Sequence, residues 1–387
     1  MIKRLAAETD AEAIFSLSQF AFQYTLSDEA FEKKKEEAWR HIIWGWMQEG
    51  ELAAKLHLIP LYCYINGERF AIGGVSSVAT WPEHRRQGAV KQLLKHALRY
   101  MRQNGQTLSF LHPFSFAFYR KYGWQHVFSK KEYRMPITRL KREWHTSGYV
   151  RRMGEELGTL QAVYTEYAKR FNGMLDRDAK WWQQRVLKDN WHKAVAYGAD
   201  GTAEGYMLYK VENELVRIQE IVPNSLNAQQ LLLQFIANHD SMAETVVMSV
   251  PEHDNLPLML DEPRFEQKLK PYFMARIVDV HTFLRQFPFR NAGTSVVLHI
   301  NDSFLPENSG AYHVRQSETG TNVTHLSMSD SKQLGIQCNT GHLAAMLLGY
   351  KRPAELHGAG LIQGDREAVA QLDAMIPRRQ PFFLDFF

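Results

Sequence analysis

The stretch WPEHRRQGAVKQLLKHALRY, residues 81–100, joins a basic, glycine-containing turn to a strongly amphipathic helix. From Val90 onwards, apolar residues recur at the i, i+3, i+4 and i+7 positions that give a helix one buried face. They are Val90, Leu93, Leu94, Ala97, Leu98 and Met101. Asn104 and Gly105 then provide a helix stop. The segment therefore predicts a regular helix with an unusual beginning.

The beginning of this helix has the composition of an anion-binding turn. A helix N-terminus carries unpaired N–H groups and about half a positive charge, so it binds phosphate readily. Gly88 permits close approach of the backbone, and Arg85 and Arg86 add charge suited to a ligand with several phosphates. A solvated basic loop before a surface helix is the alternative, and arginine and glycine content alone does not decide between the two.

The composition limits the class of protein. A chain of 387 residues predicts two or three domains, and 45% hydrophobic with 23% charged residues is typical of a soluble globular protein. A net charge of +4 gives little support for nucleic-acid binding. We find neither a membrane-length apolar run nor a secretory segment in MIKRLAAETD, so we expect no membrane partner. Cys63 and Cys338 lie far apart without metal-type spacing, which predicts no metal and a reduced, cytoplasmic setting.

The chain divides into three segments by pattern. Residues 1–146 alternate strands and helices, and the helix that begins after the basic turn lies in a strand–helix–strand unit, with Pro60 and Gly73–Gly74 marking bends or bulges in the preceding strands. Residues 147–272 are again α/β, but no basic glycine turn precedes their crossover helix, NAQQLLLQFIANH. Residues 273–387 contain a hairpin candidate, SVVLHINDSFLPENSGAYHVR, and end in PFFLDFF. The expected fold class is α/β (α+β).

In its wider context, the basic turn resembles the acetyl-CoA motif of the GNAT N-acetyltransferases. In that family a strand leads into (Arg/Gln)-x-x-Gly-x-(Gly/Ala) and a helix, and GGVSSVATWPEHRRQGAVKQLLKHAL follows this pattern, with Val90 in place of the last small residue. The resemblance implies binding of acetyl-CoA as cosubstrate. The implied binding residues are Arg85, Arg86, Gln87, Gly88 and Ala89 for the pyrophosphate, and Val78, Ala79 and Thr80 for the pantetheine arm.

Further stretches make the resemblance more specific. VATWPEHRRQGAVKQLL, FLHPFSFAFYRKYGW, RFNGMLDRDAKWW, AEGYMLYK, FMARIVDV and FFLDFF occur in the order found in Eis-type acetyltransferases, which acetylate several amines of aminoglycosides. The resemblance implies a GNAT acetyltransferase domain at 1–146, a GNAT-like domain without the CoA motif at 147–272 and a sterol-carrier-protein-like domain at 273–387. It also implies a hexamer.

Two residues in LHPFSFAFYRKYGW are candidates for proton transfer. Amine acetylation needs a neutral amine, donors near the oxyanion and an acid for the departing thiolate. Tyr119 matches the tyrosine of the family, which implies that its hydroxyl protonates the CoA sulfur; Tyr122 competes, although its neighbours favour a packing role. His112 also matches a motif position and could relay a proton near neutral pH. A hydrogen bond that terminates a strand is the alternative for His112.

The chain terminus is the third catalytic candidate. In Eis-like enzymes the terminal carboxylate returns to the N-terminal domain and receives the proton of the amine, and Phe387 holds that position here. An α-carboxyl has a pKa of about 3.3–3.7, so holding a cation, and accepting a proton after partial desolvation, are its plausible roles. Four phenylalanines in PFFLDFF argue against a frayed end, because burial of each contributes about 1.5–3 kcal/mol.

Substrate recognition is predicted from one acidic helix. Carboxylates and aromatic faces suit a polyamine, so the candidates are Asp28, Glu29 and Trp39, together with Glu32. A solvated helix face is the favoured alternative, because Lys33–Lys35 lie on the same helix. We expect an acetyl-CoA-dependent N-acetyltransferase acting on an aminoglycoside-like or polyamine-like molecule. A protein-lysine acetyltransferase would instead show a shallow groove, and an acyl-CoA or lipid carrier an apolar tunnel within residues 280–387.

Overall fold

A twelve-stranded sheet is the main body of the protein, and a four-stranded sheet stands apart from it. The computed structural model describes residues 1–154, 157–187, 190–326 and 335–387. The strand order of the large sheet in chain numbering is 1-2-3-4-5-12-6-11-10-9-8-7, and that of the small sheet is 15-14-13-16. This is the mixed α/β architecture that the sequence predicts.

The first part of the chain builds one end of the large sheet. Its elements are β1 (Ile2–Leu5), α1 (Ala11–Phe22), α2 (Asp28–Ala38), β2 (Ile42–Gln48), β3 (Glu51–Ile65), β4 (Glu68–Thr80), α3 (Ala89–Gln103), β5 (Leu108–Leu111), α4 (Phe116–Arg120) and β6 (Gln125–Pro136). Strands β1 to β4 are antiparallel neighbours, and α3 crosses over to β5, which runs parallel to β4. Helix α3 buries Leu93, Leu94, Ala97, Leu98 and Met101 against β3 and β4, as its periodicity predicts, whereas Val90 in its first turn is only partly buried.

The central part builds the other end of the same sheet. Its elements are β7 (Tyr149–Arg152), α5 (Leu157–Ala168), α6 (Ala179–Trp181) continuing as a π-helical turn (Trp182–Val186), β8 (His192–Tyr197), β9 (Ala203–Glu212), β10 (Leu215–Pro223), α7 (Leu226–Ala237), β11 (Thr245–Val250), α8 (Leu256–Met259) and β12 (Glu266–Ile277). The predicted crossover helix is α7, which connects the parallel strands β10 and β11. Ser225 caps it, because its hydroxyl accepts from the Ala228 N–H.

Strand β12 joins the two ends into one sheet. It pairs antiparallel with β5, where Ala275 lies opposite Phe110, and along its other edge it pairs antiparallel with β6. The boundary proposed between residues 272 and 273 therefore falls within a strand of the large sheet. The contacts of β12 lie far away in sequence, so the local pattern carries no signal for its position.

The last part of the chain forms the small sheet and then returns to the large one. Its elements are α9 (Val280–Gln286), β13 (Ser295–Asn301), β14 (Gly310–Ser317), β15 (Gly320–His325), β16 (Ile336–Asn339), α10 (Thr340–Leu347), α11 (Pro353–Gly358) and α12 (Arg366–Met375). The predicted hairpin is β13–β14. After α12 the extended terminal segment lies against the large sheet, where the ring of Phe383 packs 4.6 Å from that of Phe273 and 5.8 Å from that of Phe110.

Two further features bear on the predictions from composition. Across the described part of the chain, every helix is too short or too polar to cross a lipid bilayer. Cys63 and Cys338 are buried thiols that form no disulfide.

Candidate active site

The site begins where strand β4 leaves its neighbours. The parallel pairing with β5 ends at Val75 opposite Leu111, and β4 runs on to Thr80 past that point. On its other edge the register with β3 shifts between Lys55 and His57, and the additional β4 residue is Ser77, with φ of +50°. Such a bulge bends a strand and disrupts its ladder, which leaves backbone groups available for a ligand.

A cleft of about 710 Å³ lies between this end of β4 and the beginning of α3. We name it the cosubstrate cleft. Gly88 caps α3 with φ of +85°, and Arg86 has φ of +63°. The turn therefore contains two residues with left-handed backbone conformation, which glycine adopts without strain. Its lining includes, from the predicted set, Val78, Ala79, Thr80, Arg85, Arg86, Gly88 and Ala89. Gln87 does not line it, because its side chain turns back and donates to the Glu83 carbonyl over 3.2 Å.

A second cleft of about 530 Å³ meets the first at Phe22, Val78 and Phe114, which line both. We name it the acceptor cleft. Helices α1 and α2, strand β4, the residues after β5 and the chain terminus supply its walls. Its aromatic lining consists of Phe15, Phe22, Tyr24, His41, His57, His112, Phe114, Tyr119, Phe386 and Phe387.

Tyr119 and Tyr122 lie on different sides of the junction of the two clefts. Ser115 begins α4 by accepting from the Phe118 N–H over 3.3 Å, and the following turn places Tyr119 in the acceptor cleft. Burial raises the pKa of the Tyr119 hydroxyl, so it stays protonated at neutral pH. Tyr122 lines the cosubstrate cleft and packs its ring 4.8 Å from that of Phe304.

His112 follows β5 directly and lines the acceptor cleft. Its ring lies 5.0 Å from that of Phe386 and 5.5 Å from that of Tyr272. Desolvation lowers the pKa of His112, so the imidazole is neutral at pH 7 and retains a nitrogen lone pair.

The terminal residue Phe387 lies in the acceptor cleft, and only 7% of it is exposed. Its ring packs 5.1 Å from that of Phe273 and 6.1 Å from that of Trp181. The ring sits directly over Gly74 of β4, because a Cβ atom at position 74 would come within 2.7 Å of it. A glycine in the middle of this strand therefore makes room for the end of the chain.

A buried ion-pair network holds the terminal segment two residues earlier. Arg177 donates to both carboxylate oxygens of Asp385 over 3.0 and 3.2 Å, and to both oxygens of Glu220 over 3.0 and 2.8 Å. Trp181 adds a 2.7 Å hydrogen bond to Asp385, and the Tyr272 hydroxyl donates to the Asp385 carbonyl over 2.8 Å. These partners fix the backbone from which Phe387 extends. Sequence reasoning did not single out Arg177, although it lies in RFNGMLDRDAKWW.

The structure does not bring the predicted substrate residues to the acceptor cleft. Glu29 and Trp39 border a shallow groove on the outer face of α2, and Asp28 is exposed in its first turn. The face that turns inward carries Lys34, Glu37 and Ala38 instead. Because a helix repeats every 3.6 residues, positions 29, 32, 33 and 36 share the opposite face. This placement agrees with the alternative favoured from the sequence, a solvated helix face.

The floor of the acceptor cleft holds titratable side chains that the sequence reasoning missed. His41 and His57 line it. The side chain of Lys55 is fully buried and forms a hydrogen bond with Nε2 of His57. Glu37 forms a 3.1 Å ion pair with Arg185 at the rim. A lysine and a histidine two residues apart in the otherwise apolar strand ELAAKLHLIPLYCYI would have been the signal.

Comparison with protein families matches three parts of the chain. Residues 3–127 match a family model described as Acetyltransferase (GNAT) domain, and residues 173–277 match a second model of the same description. Residues 280–384 match a model described as Sterol carrier protein domain.

Curated relatives cover most of the chain at low identity. An uncharacterized N-acetyltransferase of Streptomyces griseus is 23% identical over 361 residues, which is 84% of this chain and 83% of that protein. The N-acetyltransferase Eis of Mycobacterium tuberculosis is 22% identical over 325 residues, which is 78% of this chain and 77% of that protein.

Solved structures share the fold over the whole chain. A probable N-acyltransferase from Enterococcus faecalis superimposes with a TM-score of 0.93 at 25% identity, covering 100% of this chain and 99% of that one. Eis1 from Mycobacterium abscessus superimposes with a TM-score of 0.84 at 20% identity, covering 100% of both chains.

Proposed function

Because the chain is an Eis-like N-acetyltransferase of the GNAT superfamily with a C-terminal sterol carrier protein domain, we propose that it transfers the acetyl group of acetyl-CoA to an amine of a small molecule held in the acceptor cleft. The observation that carries this proposal is the meeting of the two clefts at Val78, with Tyr119 and Phe387 on the acceptor side.

The cosubstrate residues divide by the chemistry they offer. GNAT acetyltransferases use acetyl-CoA, and the α3 N-terminus offers N–H groups and positive potential to its pyrophosphate. We assign Arg85, Arg86, Gly88 and Ala89 to that contact, with Gln87 contributing through its backbone. Val78, Ala79 and Thr80, on the part of β4 that runs past β5, are assigned to the pantetheine arm, which would add to the strand edge as an extended peptide does.

Tyr119 is assigned the role of general acid. When the amine nitrogen attacks the thioester carbonyl, a C–N bond forms, the C–S bond breaks and the sulfur leaves with the electron pair. A tyrosine that remains protonated at neutral pH can donate its O–H proton to that sulfur. The raised pKa of the buried Tyr119 hydroxyl supports this assignment, as does its place beside the junction of the clefts.

The terminal carboxylate of Phe387 and the imidazole of His112 are assigned to the amine. A carboxylate in a largely desolvated cleft attracts a substrate ammonium strongly, because the low dielectric weakens screening. His112 is neutral at pH 7 and lines the same cleft, so it can accept a hydrogen bond from the amine or relay its proton.

The lining of the acceptor cleft supports a small amine as substrate. Aromatic walls on several sides suit a small molecule better than a lysine presented on a protein surface, so we favour that class over a protein-lysine substrate. The aminoglycoside-like or polyamine-like class expected from the sequence has weaker support. Glu37 is paired with Arg185, and the case for a polycation therefore rests on the carboxylate of Phe387 and the aromatic faces.

The carrier alternative, the domain boundaries, the cytoplasmic setting and the hexamer remain proposals. The cavity beside the C-terminal domain, lined by Asp302, Asn339 and His342 among others, has a volume of about 220 Å³ and polar walls, which gives the carrier alternative little support. We place the first domain boundary near residue 146 and the second at the end of β12 rather than at 272. The cytoplasmic setting is supported by the two buried thiols, and the hexamer by the family resemblance alone.

A CoA-release assay tests the proposed function. The panel comprises aminoglycosides, linear polyamines, simple monoamines and lysine-containing peptides, with mass spectrometry to count the acetyl groups added. We expect turnover of at least one small amine, and an N-acetyl product. Turnover confined to the peptides, or CoA release without an acetylated product, would contradict the proposal.

A further inference from the structure

A continuous chain of hydrogen bonds runs from the acceptor cleft to a buried lysine. The Lys55 ammonium nitrogen lies 2.6 Å from the Ser77 hydroxyl, 3.2 Å from the Ser77 carbonyl and 3.1 Å from Nε2 of His57. Nδ1 of His57 lies 3.2 Å from Nδ1 of His41. Nε2 of His41 is buried and has no hydrogen-bond partner among the described residues, although His41 lines the cleft. The outer end of the chain is therefore a nitrogen without a hydrogen-bond partner among the described residues, on a residue that lines the cleft.

The surroundings of this chain disfavour positive charge. Lys34, Arg40 and Arg185 face it from α2, the following turn and the π-helical turn, and the carboxylate of Glu37 is held by Arg185. Burial lowers the pKa of His41 to about 3 and that of His57 well below its ordinary value. Burial also lowers the pKa of Lys55 to about 7. The imidazoles are therefore neutral at pH 7, whereas Lys55 exchanges its proton there.

The protonation state of Lys55 sets the tautomer of both histidines. As an ammonium, Lys55 donates three hydrogen bonds, to the Ser77 hydroxyl, the Ser77 carbonyl and Nε2 of His57. His57 must then carry its proton on Nδ1 and donate a hydrogen bond to Nδ1 of His41, so His41 carries its own proton on Nε2, the outer end of the chain.

The neutral form of Lys55 reverses two hydrogen bonds, the one between Lys55 and His57 and the one between His57 and His41. The amine keeps two N–H donors for Ser77, and its lone pair accepts a hydrogen bond from Nε2–H of His57. Nδ1 of His57 then accepts from Nδ1–H of His41. Nε2 of His41, a buried nitrogen of a residue that lines the cleft, is left with a lone pair, which is the state that a base requires.

We propose that His41 accepts the proton of the substrate amine and that His57 and Lys55 carry it inward. The step rests on the proposed function and moves three protons. The N–H bond of the amine breaks as a bond to Nε2 of His41 forms. The proton on Nδ1 of His41 passes to Nδ1 of His57, and the proton on Nε2 of His57 passes to the amine of Lys55. Both imidazoles end neutral in the other tautomer, and Lys55 ends as an ammonium.

This assignment divides the work at the amine. The carboxylate of Phe387 holds the substrate ammonium, His112 accepts a hydrogen bond from it, and His41 is the catalytic residue that takes its proton. His57 and Lys55 are positioning residues, because they act on the substrate only through His41. After product release the relay runs in reverse, and the proton leaves from Nε2 of His41 to water in the cleft.

Imidazole nitrogen NMR tests the relay without any turnover. Long-range ¹H–¹⁵N spectra of the full chain are recorded between pH 5.5 and 9, with assignments from His41→Gln and His57→Gln. In the native protein we expect His41 to carry its proton on Nε2 at low pH and on Nδ1 at high pH, and His57 to change in the opposite sense near pH 7. In Lys55→Met neither tautomer should change in that range. Tautomers that stay constant with pH in the native protein would overturn the inference.

The pH profile of kcat/KM tests the relay in catalysis. The profile is recorded with two amine substrates of different pKa. A rise in kcat/KM caused by ionisation of the substrate moves with the pKa of the amine, whereas a rise caused by the relay stays near pH 7 for both. We expect Lys55→Met and His41→Gln to lose that rise and to lower kcat/KM at pH 8 about 10²-fold, the scale of one acid–base group. Lys33→Met, on the outer face of α2, should keep the native profile.

The outcomes separate this inference from the proposed function. Calorimetric titration of CoA shows whether each variant retains its fold, and if Lys55→Met does not fold, the NMR titration of the native protein decides. A native chain that acetylates no amine contradicts the proposed function, whereas the tautomer exchange can still be observed. A native chain that acetylates an amine, with an unchanged pH profile in both relay variants, contradicts the relay alone.

Discussion

Replacing Gly74 with alanine tests the position of the chain terminus without altering the terminus. Gly74 lies within the extended strand β4, where an alanine fits the backbone. The new methyl group would lie 2.7 Å from Cε2 and 2.9 Å from Cζ of Phe387. Carbon atoms in favourable contact are about 3.5–4.0 Å apart, so the ring must move by roughly 1 Å.

The displacement can be converted into an expected rate. A catalytic group misplaced by about 1 Å can cost about 10²-fold, which is about 2.7 kcal/mol of activation free energy. Overpacking adds about 1–3 kcal/mol of lost stability. We therefore expect Gly74→Ala to lower kcat/KM for the amine about 10²-fold and to lower the unfolding temperature, with an unchanged affinity for CoA.

The neighbouring glycine supplies a matched control. A methyl group at Gly73 would meet Met101 at 2.5 Å and Leu58 at 2.7 Å, on the face of β4 away from Phe387. Gly73→Ala should therefore lose comparable stability and keep most of its kcat/KM. The assays are CoA release, calorimetric titration of CoA and thermal unfolding. Equal losses of kcat/KM in both variants, or none in Gly74→Ala, would refute the assigned role of Phe387.

Three other variants make separate predictions. Tyr119→Phe should lower kcat by 10² or more at unchanged CoA affinity, and near-native kcat would remove Tyr119 from the mechanism. Asp385→Ala leaves Arg177 with one fewer buried carboxylate, so urea unfolding should show a loss of about 3–5 kcal/mol and CoA release a fall in kcat/KM; an unchanged protein would contradict the anchoring role. Lys55→Met should flatten the pH dependence of stability. The native fold releases the Lys55 proton near pH 7 while the unfolded chain keeps it up to about 10.5, so native stability should rise with pH between these values, by about 5 kcal/mol at most. Parallel curves for the native protein and the variant would contradict the burial of a titrating lysine.

The parts of the fold that were predictable from the sequence are those with local causes. The apolar period of residues 90–101 and the glycine at 88 determine α3 and its beginning within a few residues of chain. The hairpin β13–β14 and the crossover helix α7 were likewise readable from alternation and periodicity. Each depends on neighbours along the sequence rather than on distant partners.

Other features depend on contacts that the sequence does not display. Gly73 and Gly74 were expected to mark bends or bulges, but both pair in register with β3, and the bulge lies at Ser77. Glycine is needed at these positions because a side chain at 73 would collide with Met101 and one at 74 with the ring of Phe387. Phe387 lies at the other end of the sequence. The insertion of β12 between β5 and β6 is of the same kind.

The candidate site shows the same division. The turn at Gly88 was recognisable as an anion-binding turn from its own residues, whereas its cosubstrate and the role of Tyr119 came from the family resemblance. Asp28, Glu29 and Trp39 were chosen by composition, which does not say which face of α2 turns inward. Lys55 and His57 were not singled out, although a buried lysine that has no carboxylate partner in the described part of the chain is itself an indication of function.

A crystal structure of the full chain with CoA tests the central claim most directly, because it locates the pyrophosphate and the sulfur of CoA. We expect the pyrophosphate at the backbone N–H groups around Gly88 and Ala89, and the sulfur within hydrogen-bond distance of the Tyr119 hydroxyl. A pyrophosphate bound elsewhere, or a sulfur remote from Tyr119 and Phe387, would contradict it.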